Sequence, residues 1–281
     1  MENIIQIKNG NLIFFGQNNF PLWAGLFSRA ECQGSIIQFI HNYLNKKSDI
    51  LFISGQCDGN IQVQDVQDYL EPNKKIIIGT LAQSPERTTK LPFLYLPLDD
   101  DFFMNGIHFE SYWVDWKKRS SKIFWRGVAS GEDGKRLKVI KKLWNYPNTD
   151  LKITNDIEDK KIIGNRVPFT EFFNYKIFLI IDGNVIASNH MWAFATGCVP
   201  IMISDKIFWF QKYLVPFRDY LPVQPDLSDL IERIEWVRNH DQEAEQIAKN
   251  AVYFSQHIFS PQFQQNYIIQ HIHSLLDLQR L

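Results

Sequence analysis

Short apolar runs, polar turns and stretches of helical period follow one another along the whole chain, a pattern that predicts an α/β protein. Near the start, Ile4–Ile7 and Leu12–Phe15 flank the turn Asn9-Gly10-Asn11 and predict a β-hairpin. A helix is predicted from Ser28: Ser28 and Glu31 have capping-box spacing, and Ile36, Ile37, Ile40, Tyr43 and Leu44 fall on one face. The strand Ile50–Ile53, a polar turn through Gly55 to Asn60, a weaker helix over Val63–Leu70, the strand Lys75–Ile78 and the extended segment Pro92–Pro97 complete a first α/β region.

A second α/β region begins near Ser121, with strands predicted over Lys122–Trp125, Leu151–Thr154, Ile177–Ile181, Val199–Ile203 and Tyr220–Val223. These runs are apolar without strict alternation, which suits a parallel sheet covered on both faces. Helices are predicted between them over Lys135–Trp144, Asn189–Thr196 and Phe208–Leu214. The tail is helical: Leu230, Ile231, Ile234 and Val237, then Ala244, Ile247, Ala248 and Ala251, share helical faces, and a last helix runs over Pro261–Leu278. The simplest architecture is two α/β halves facing a cleft, divided at 120/121, with the last helix free to pack back on the N-terminal half.

Composition narrows the classes. A chain of 281 residues with 45% hydrophobic and 22% charged residues can fill a core, and a net charge of −1 gives no reason to expect nucleic acid. Eight Trp and 14% aromatic residues could stack on sugar rings, although core packing also uses them. Cys32, Cys57 and Cys198 contain no Cys-x-x-Cys pair, which points to a reducing compartment and no structural zinc. Met1–Lys8 lacks the basic flank and apolar stretch of a signal peptide, and no apolar run reaches the roughly 20 residues that span a bilayer. The expectation is a cytoplasmic protein. Lys117, Lys118, Arg119 and Lys122 form a basic cluster that reads either as a solvated helix end or as a peripheral contact with anionic lipid.

Two segments carry candidate chemistry. In the first, a strand ends in Arg126-Gly127, a glycine-containing loop runs through Ser130-Gly131 to Gly134, and Arg136 opens a helix. Both guanidinium groups are expected at the carboxyl edge of the sheet, close enough to grip one diphosphate, a task their planar forks suit. The loop is not a Walker motif, since Ala129 and Arg136 stand where Gly and Ser/Thr are required. The second segment is the turn after the strand Ile177–Ile181, containing Asp182, Gly183, Asn184, Ser188 and His190. Gly183 permits a tight turn and Ser188 can cap the following helix, whose backbone N–H groups favour an anion. Each arrangement also reads as structure alone, as surface ion pairs or as a capped crossover.

Together these residues resemble glycosyltransferase family 90. The likeness rests on Trp125-Arg126-Gly127 with the following Arg136, Tyr175-Lys176 leading to Asp182-Gly183-Asn184, and Ser188. Tyr220–Val223, Asp226–Leu230 and Asn239-His240-Asp241 with Ala244, Ile247 and Ala248 extend it over roughly residues 122–270. The resemblance implies a GT-B-like fold of two Rossmann-like domains: residues 1–120 on the acceptor side and residues 121–281 holding a nucleotide sugar, usually UDP-linked. It implies inversion without a metal or other cofactor, and a glycan or lipid-linked glycan acceptor such as lipopolysaccharide. By position, Arg126, Gly127 and Arg136 with the turn Asp182–His190 would bind the donor. The family usually carries Arg where this chain has His190, which leaves room for a non-catalytic nucleotide- or sugar-binding relative.

Inverting transfer needs a base for the acceptor hydroxyl. The resemblance points to an Asp that follows an N-terminal strand, and Asp58 has that place, with Asp99, Asp100 and Asp101 as competitors. The spacing Asp99-x-Asp101 also fits a metal-dependent GT-A-type enzyme, because hard carboxylate oxygens suit a divalent cation on a diphosphate. The seven His residues show no metal spacing, and no Gly-x-Ser-x-Gly elbow is present.

Overall fold

The computed structural model describes residues 4–8, 11–15, 31–44, 50–55, 74–80, 82–83, 93–97, 108–131, 134–183, 186–187 and 189–279. Its contacts divide the chain into two compact units. One comprises Met1–Gly106, Lys206–Gln211 and Phe259–Leu281, and the other Ile107–Asp205 and Lys212–Ile258. The molecule is a mixed α/β protein in which parallel strand pairs occur in both units.

In the first unit the hairpin forms as predicted, β1 (Ile4–Lys8) against β2 (Asn11–Phe15) in antiparallel register. β1 also pairs antiparallel with β3 (Ile50–Gly55), and β4 (Lys75–Thr80) and β6 (Phe93–Tyr95) continue the sheet in parallel, giving the order β2-β1-β3-β4-β6. Helix α1 (Glu31–Leu44) buries Ile36, Ile40 and Leu44, three positions of the predicted face.

The segment after Asp205 departs from the expected helix over 208–214. Ile207–Phe208 forms a short strand (β11) antiparallel to Ala82–Gln83 (β5), followed by one 3-10 turn over Gln211–Tyr213. The reason lies in three consecutive apolar side chains. Phe208, Trp209 and Phe210 are all buried, a demand that a one-sided amphipathic helix cannot meet. Trp209 and Phe210 both pack on Phe259, and Trp209 also on Tyr267 of the last helix.

The second unit holds the sheet that matters for function. Its strands are β7 (Ile123–Gly127), β8 (Thr149–Ile153), β9 (Ile177–Ile181), β10 (Val199–Ile203) and β12 (Leu221–Pro222), all parallel, in the spatial order β12-β10-β9-β7-β8. Counted from β7, that is the doubly wound order 2-1-3-4-5, whose direction reverses between β7 and β9. β9 and β10 are buried at every position, as their unbroken apolar sequence requires of a sheet covered on both faces. Helix α2 (Lys135–Leu143) follows β7 and buries Val139, Ile140 and Leu143 in the core that also takes Ile123 and Trp125. The crossover from β9 to β10 is a short helix α3 (Asn189–Ala193), a 3-10 turn over Phe194–Thr196 and a left-handed Gly197.

The tail forms α4 (Leu230–Asn239), α5 (Asp241–Ile258) and α6 (Pro261–Leu278). Ser260 caps α6 by accepting from Phe263 N–H, with Pro261 at the first helical position. Among the described residues no helix is long and apolar enough to cross a membrane.

Candidate functional site

The order in which strands are added to the second unit's sheet reverses between β7 and β9, and in open α/β sheets the crevice outside the strand ends at such a point is the usual ligand site. Here two loops meet. Gly131 has φ +127, and a Cβ placed on it would lie 3.3 Å from the carbonyl oxygen of Asp182 and 3.5 Å from that of Gly183. A side chain at 131 would therefore wedge apart the loop after β7 and the turn after β9.

Arg136, in the first turn of α2, ties the same two loops from behind. Its Nε and one terminal nitrogen reach the Ile181 carbonyl at 3.4 and 3.3 Å. The other terminal nitrogen donates to the Val128 carbonyl at 3.1 Å and to Ser130 Oγ at 2.8 Å. The side chain is 9% exposed and lies over the Trp125 indole. Gly183 packs closely here: a Cβ on it would lie 3.2 Å from the Arg136 guanidinium and 3.3 Å from Ser130 Oγ.

Arg126 stands elsewhere. Successive residues of a strand point to opposite faces, so Arg126 shares the face of Phe124 and not that of Trp125 and Arg136. Its guanidinium folds back over the Phe124 ring at 4.4 Å and pairs with Asp150, Nη2 to Oδ1 at 2.8 Å, while Nη1 donates to the Asp150 carbonyl at 2.8 Å. Asp150 is in register with Phe124, two residues back from Arg126 toward the amino end of the sheet. The sequence expects both arginines at one edge of the sheet; here their side chains lie on opposite faces of it, as strand parity requires. Tyr175 stacks on Phe124 at 4.5 Å, and burial, with the hydrogen bond to Glu171 second, pushes its hydroxyl up to about 12.

Gly127 fits the Trp125 side of β7. A Cβ there would lie 2.6 Å from two ring atoms of the Trp125 indole. Gly127→Ala is expected to displace that indole and cost about 2 kcal/mol by overpacking. A chemical denaturation midpoint equal to that of the wild type would refute this.

At the end of β9, Asp182 is fully buried. Its Oδ1 lies 3.2 Å from His190 Nε2 and its Oδ2 3.7 Å from Lys135 Nζ, and Lys135 in turn pairs with Asp205 at 2.8 Å. His190 Nδ1 is 3.0 Å from the Ala187 carbonyl, which can only accept, so Nδ1 carries a proton. Asp182 and Gly183 directly follow β9, whereas His190 lies in α3 with its side chain buried beside Asp182. Lys135, Asp205, Ser130 and Asp150 escaped the sequence reading. Ser130 and Lys135 sit in or beside the loop from Gly127 to Arg136, where the sequence gives them no role, whereas Asp205 and Asp150 needed the sheet order to be found.

Asn184, Ser188, Asp58, Asp99, Asp100 and Asp101 lie outside the described residues. Among the described residues no three His, Cys, Asp or Glu side chains gather as metal ligands.

The comparisons with known proteins bear on this crevice directly. Residues 101–280 match the family described as Glycosyl transferase family 90. The chain belongs to glycosyl transferase family 90. The match contains both crevice loops and all of α2. Among family-named relatives, Protein O-glucosyltransferase 2 of Danio rerio is 35% identical over 142 residues, covering 47% of this chain and 28% of that protein. Protein O-glucosyltransferase 3 of Homo sapiens is 29% identical over 154 residues, covering 52% of this chain and 30% of that one. The matched part thus spans less than a third of these relatives' length. A solved structure, sucrose-phosphate synthase from Thermosynechococcus elongatus, aligns with TM-score 0.44 and 10% identity over 88% of this chain and 64% of its own.

Proposed function

We propose that this chain is a glycosyltransferase that moves a hexose or pentose from a UDP-sugar to an acceptor hydroxyl, with inversion and without a metal. The observation that carries the reading is the switch point in the strand order of the parallel sheet, in a chain of family 90, with Lys135 and Arg136 opening the helix beside it. Cations at such a strand edge provide the positive field that a diphosphate needs as a leaving group. Arg136 holds both loops, Lys135 supplies charge, and Gly183 lies beside the Arg136 guanidinium. The acceptor oxygen attacks the anomeric carbon, its proton passes to a carboxylate, and the bond to the diphosphate breaks so that UDP leaves with the electron pair. Asp58 is the proposed base, with Asp100 and Asp101 as alternatives, and a GT-B-like pairing of an acceptor-side domain with the donor domain would bring it to the sugar.

The names of the relatives favour glucose and a protein hydroxyl. A lipopolysaccharide or lipid-linked glycan is the alternative acceptor, and a cytoplasmic place at the inner face of the membrane goes with that alternative. A second reading, a nucleotide-binding relative without turnover, is favoured by His190, which is wholly buried and turned toward Asp182 rather than into the crevice.

Titration of UDP into the protein with EDTA present tests the site. Saturation in the micromolar range, about −8 kcal/mol, is expected. Binding that appears only after manganese is restored would replace this reading with the metal-dependent one built on Asp99 and Asp101. UDP binding without UDP release from UDP-glucose, given peptide and glycan acceptors, would select the non-catalytic reading.

A further inference from the structure

The opposite end of the same sheet carries a second pocket. Arg119 precedes β7 and Gly197 precedes β10, so both lie at the amino edge, a strand length of roughly 15 Å from the crevice. With Trp113, Val114, Trp116 and Val252 they line a pocket of about 270 Å³. The sequence reading took Arg119 for part of a surface basic cluster. The structure corrects that: Arg119 is 7% exposed, held inward by the chain around it.

The charge on Arg119 has no carboxylate partner among the described residues. Its Nε donates to the Val114 carbonyl at 2.9 Å, Nη2 to the Thr196 carbonyl at 3.0 Å and Nη1 to Cys198 Sγ at 3.4 Å. Burial pushes the Cys198 thiol up, and Arg119 beside it only partly opposes this, so the sulfur does not serve as a thiolate counter-ion at neutral pH. Glu245, on the rim, is engaged with Lys249 at 2.7 Å, and Asp241 with Lys176 at 2.5 Å. A guanidinium has five N–H donors and three are used, which leaves one on each terminal nitrogen. A buried cation answered only by neutral dipoles is costly, and an anion entering the pocket would relieve that cost.

The walls specify the rest of the ligand. Trp113 and Trp116 are fixed by their own indole N–H groups, on the Ala195 carbonyl at 2.9 Å and on Asp241 at 3.1 Å. Both therefore offer ring surface rather than hydrogen bonds, and Ala248 and Val252 add apolar surface. Gly197 keeps the pocket open: it is left-handed at φ +72, and a Cβ on it would meet the Arg119 guanidinium at 2.9 Å. We propose that this pocket binds a small carboxylate bearing a single aromatic or apolar ring, with the carboxylate forked onto Arg119 and the ring against Trp113 and Val252. Two parallel N–H donors match a planar carboxylate. The volume is just below the range of about 300–1,000 Å³ common for drug-sized ligands, which limits the occupant to one ring.

The test is fluorine NMR on the full chain with 4-fluorophenylacetate and, as the uncharged control of the same shape, 4-fluorophenylacetamide. The acetate is expected to saturate with a Kd below about 1 mM, and the amide to bind about tenfold more weakly or worse. Trp113→Ala, at a residue already 41% exposed, should weaken the acetate about fivefold with the melting temperature unchanged. Arg119→Lys keeps the charge but loses the fork, and should abolish most of the preference for acetate over amide. If Arg119→Lys does not fold, the acetate-to-amide ratio and Trp113→Ala decide the matter alone. Equal binding of acetate and amide, no saturation by the acetate below about 10 mM, or full affinity in Trp113→Ala would each overturn the proposal.

Discussion

Replacing Arg136 by Ala is expected to lower the unfolding free energy by about 3 kcal/mol and to weaken UDP binding at least about thirtyfold, roughly 2 kcal/mol. Three acceptors lose their donor at once: the Val128 and Ile181 carbonyls and Ser130 Oγ. Each buried acceptor left unsatisfied costs about 1–3 kcal/mol, and the slight exposure of the site lets water recover part of that. The loop after β7 and the turn after β9 then lose their common tether, so the donor effect follows from a crevice that no longer holds its shape. Arg126→Ala is the internal control. It lies on the other face in a partly exposed pair with Asp150, so donor affinity should change less than about twofold and stability by less than about 1 kcal/mol. Calorimetry and urea denaturation on both variants decide the question. Donor affinity that survives loss of Arg136 but falls with Arg126 would mean that the wrong face of the sheet has been assigned to the donor.

Asp182→Ala is expected to cost about 3 kcal/mol, because it removes the buried carboxylate that Lys135 pairs with and that His190 faces. The carboxylate is fully buried, with His190 Nε2 at 3.2 Å and Lys135 Nζ at 3.7 Å. Lys135 keeps Asp205 as a partner, so most of the loss should be shared with His190. A double-mutant cycle with His190→Leu should show a coupling of about 1 kcal/mol or more. Additive single-variant losses would show that the two side chains merely lie side by side. A variant as stable as the wild type would show that the cost of burying this carboxylate cancels its pairing.

Much of the second unit's fold was legible in the sequence, for a physical reason. Ile177–Ile181 and Val199–Ile203 are unbroken apolar runs of strand length, and a run that must be dry on both faces has few other readings. The helix over Pro261–Leu278 forms with the bounds expected of it. Phe208–Phe210 misled because consecutive aromatics score as helix or strand alike, and the choice was made by the strand Ala82–Gln83, far away in sequence. The site was legible by composition and not by direction. Arg126 and Arg136 were both visible as cations near a strand end, yet the alternation that sends Trp125 one way and Arg126 the other separates them. Arg119 was hidden by its lysine neighbours, since a basic run in a sequence gives no sign of which member the fold will take inside.

The path of the chain between its two units bears on how a nascent chain folds. The second unit needs residues from Ile107 to Ile258 and is complete as soon as Ile258 has been synthesised. The first unit is begun earlier yet finished later, because Phe259–Leu281 belongs to it. Until α6 is made, Tyr267, Ile268, Ile272 and Leu276 are missing from the core in which they end up buried, and the apolar faces of β4 and β6 that meet this helix stay open to water. An unfinished sheet of that kind is a substrate for chaperones and a seed for aggregation. Of the two units, the one begun first is thus the last to be sealed.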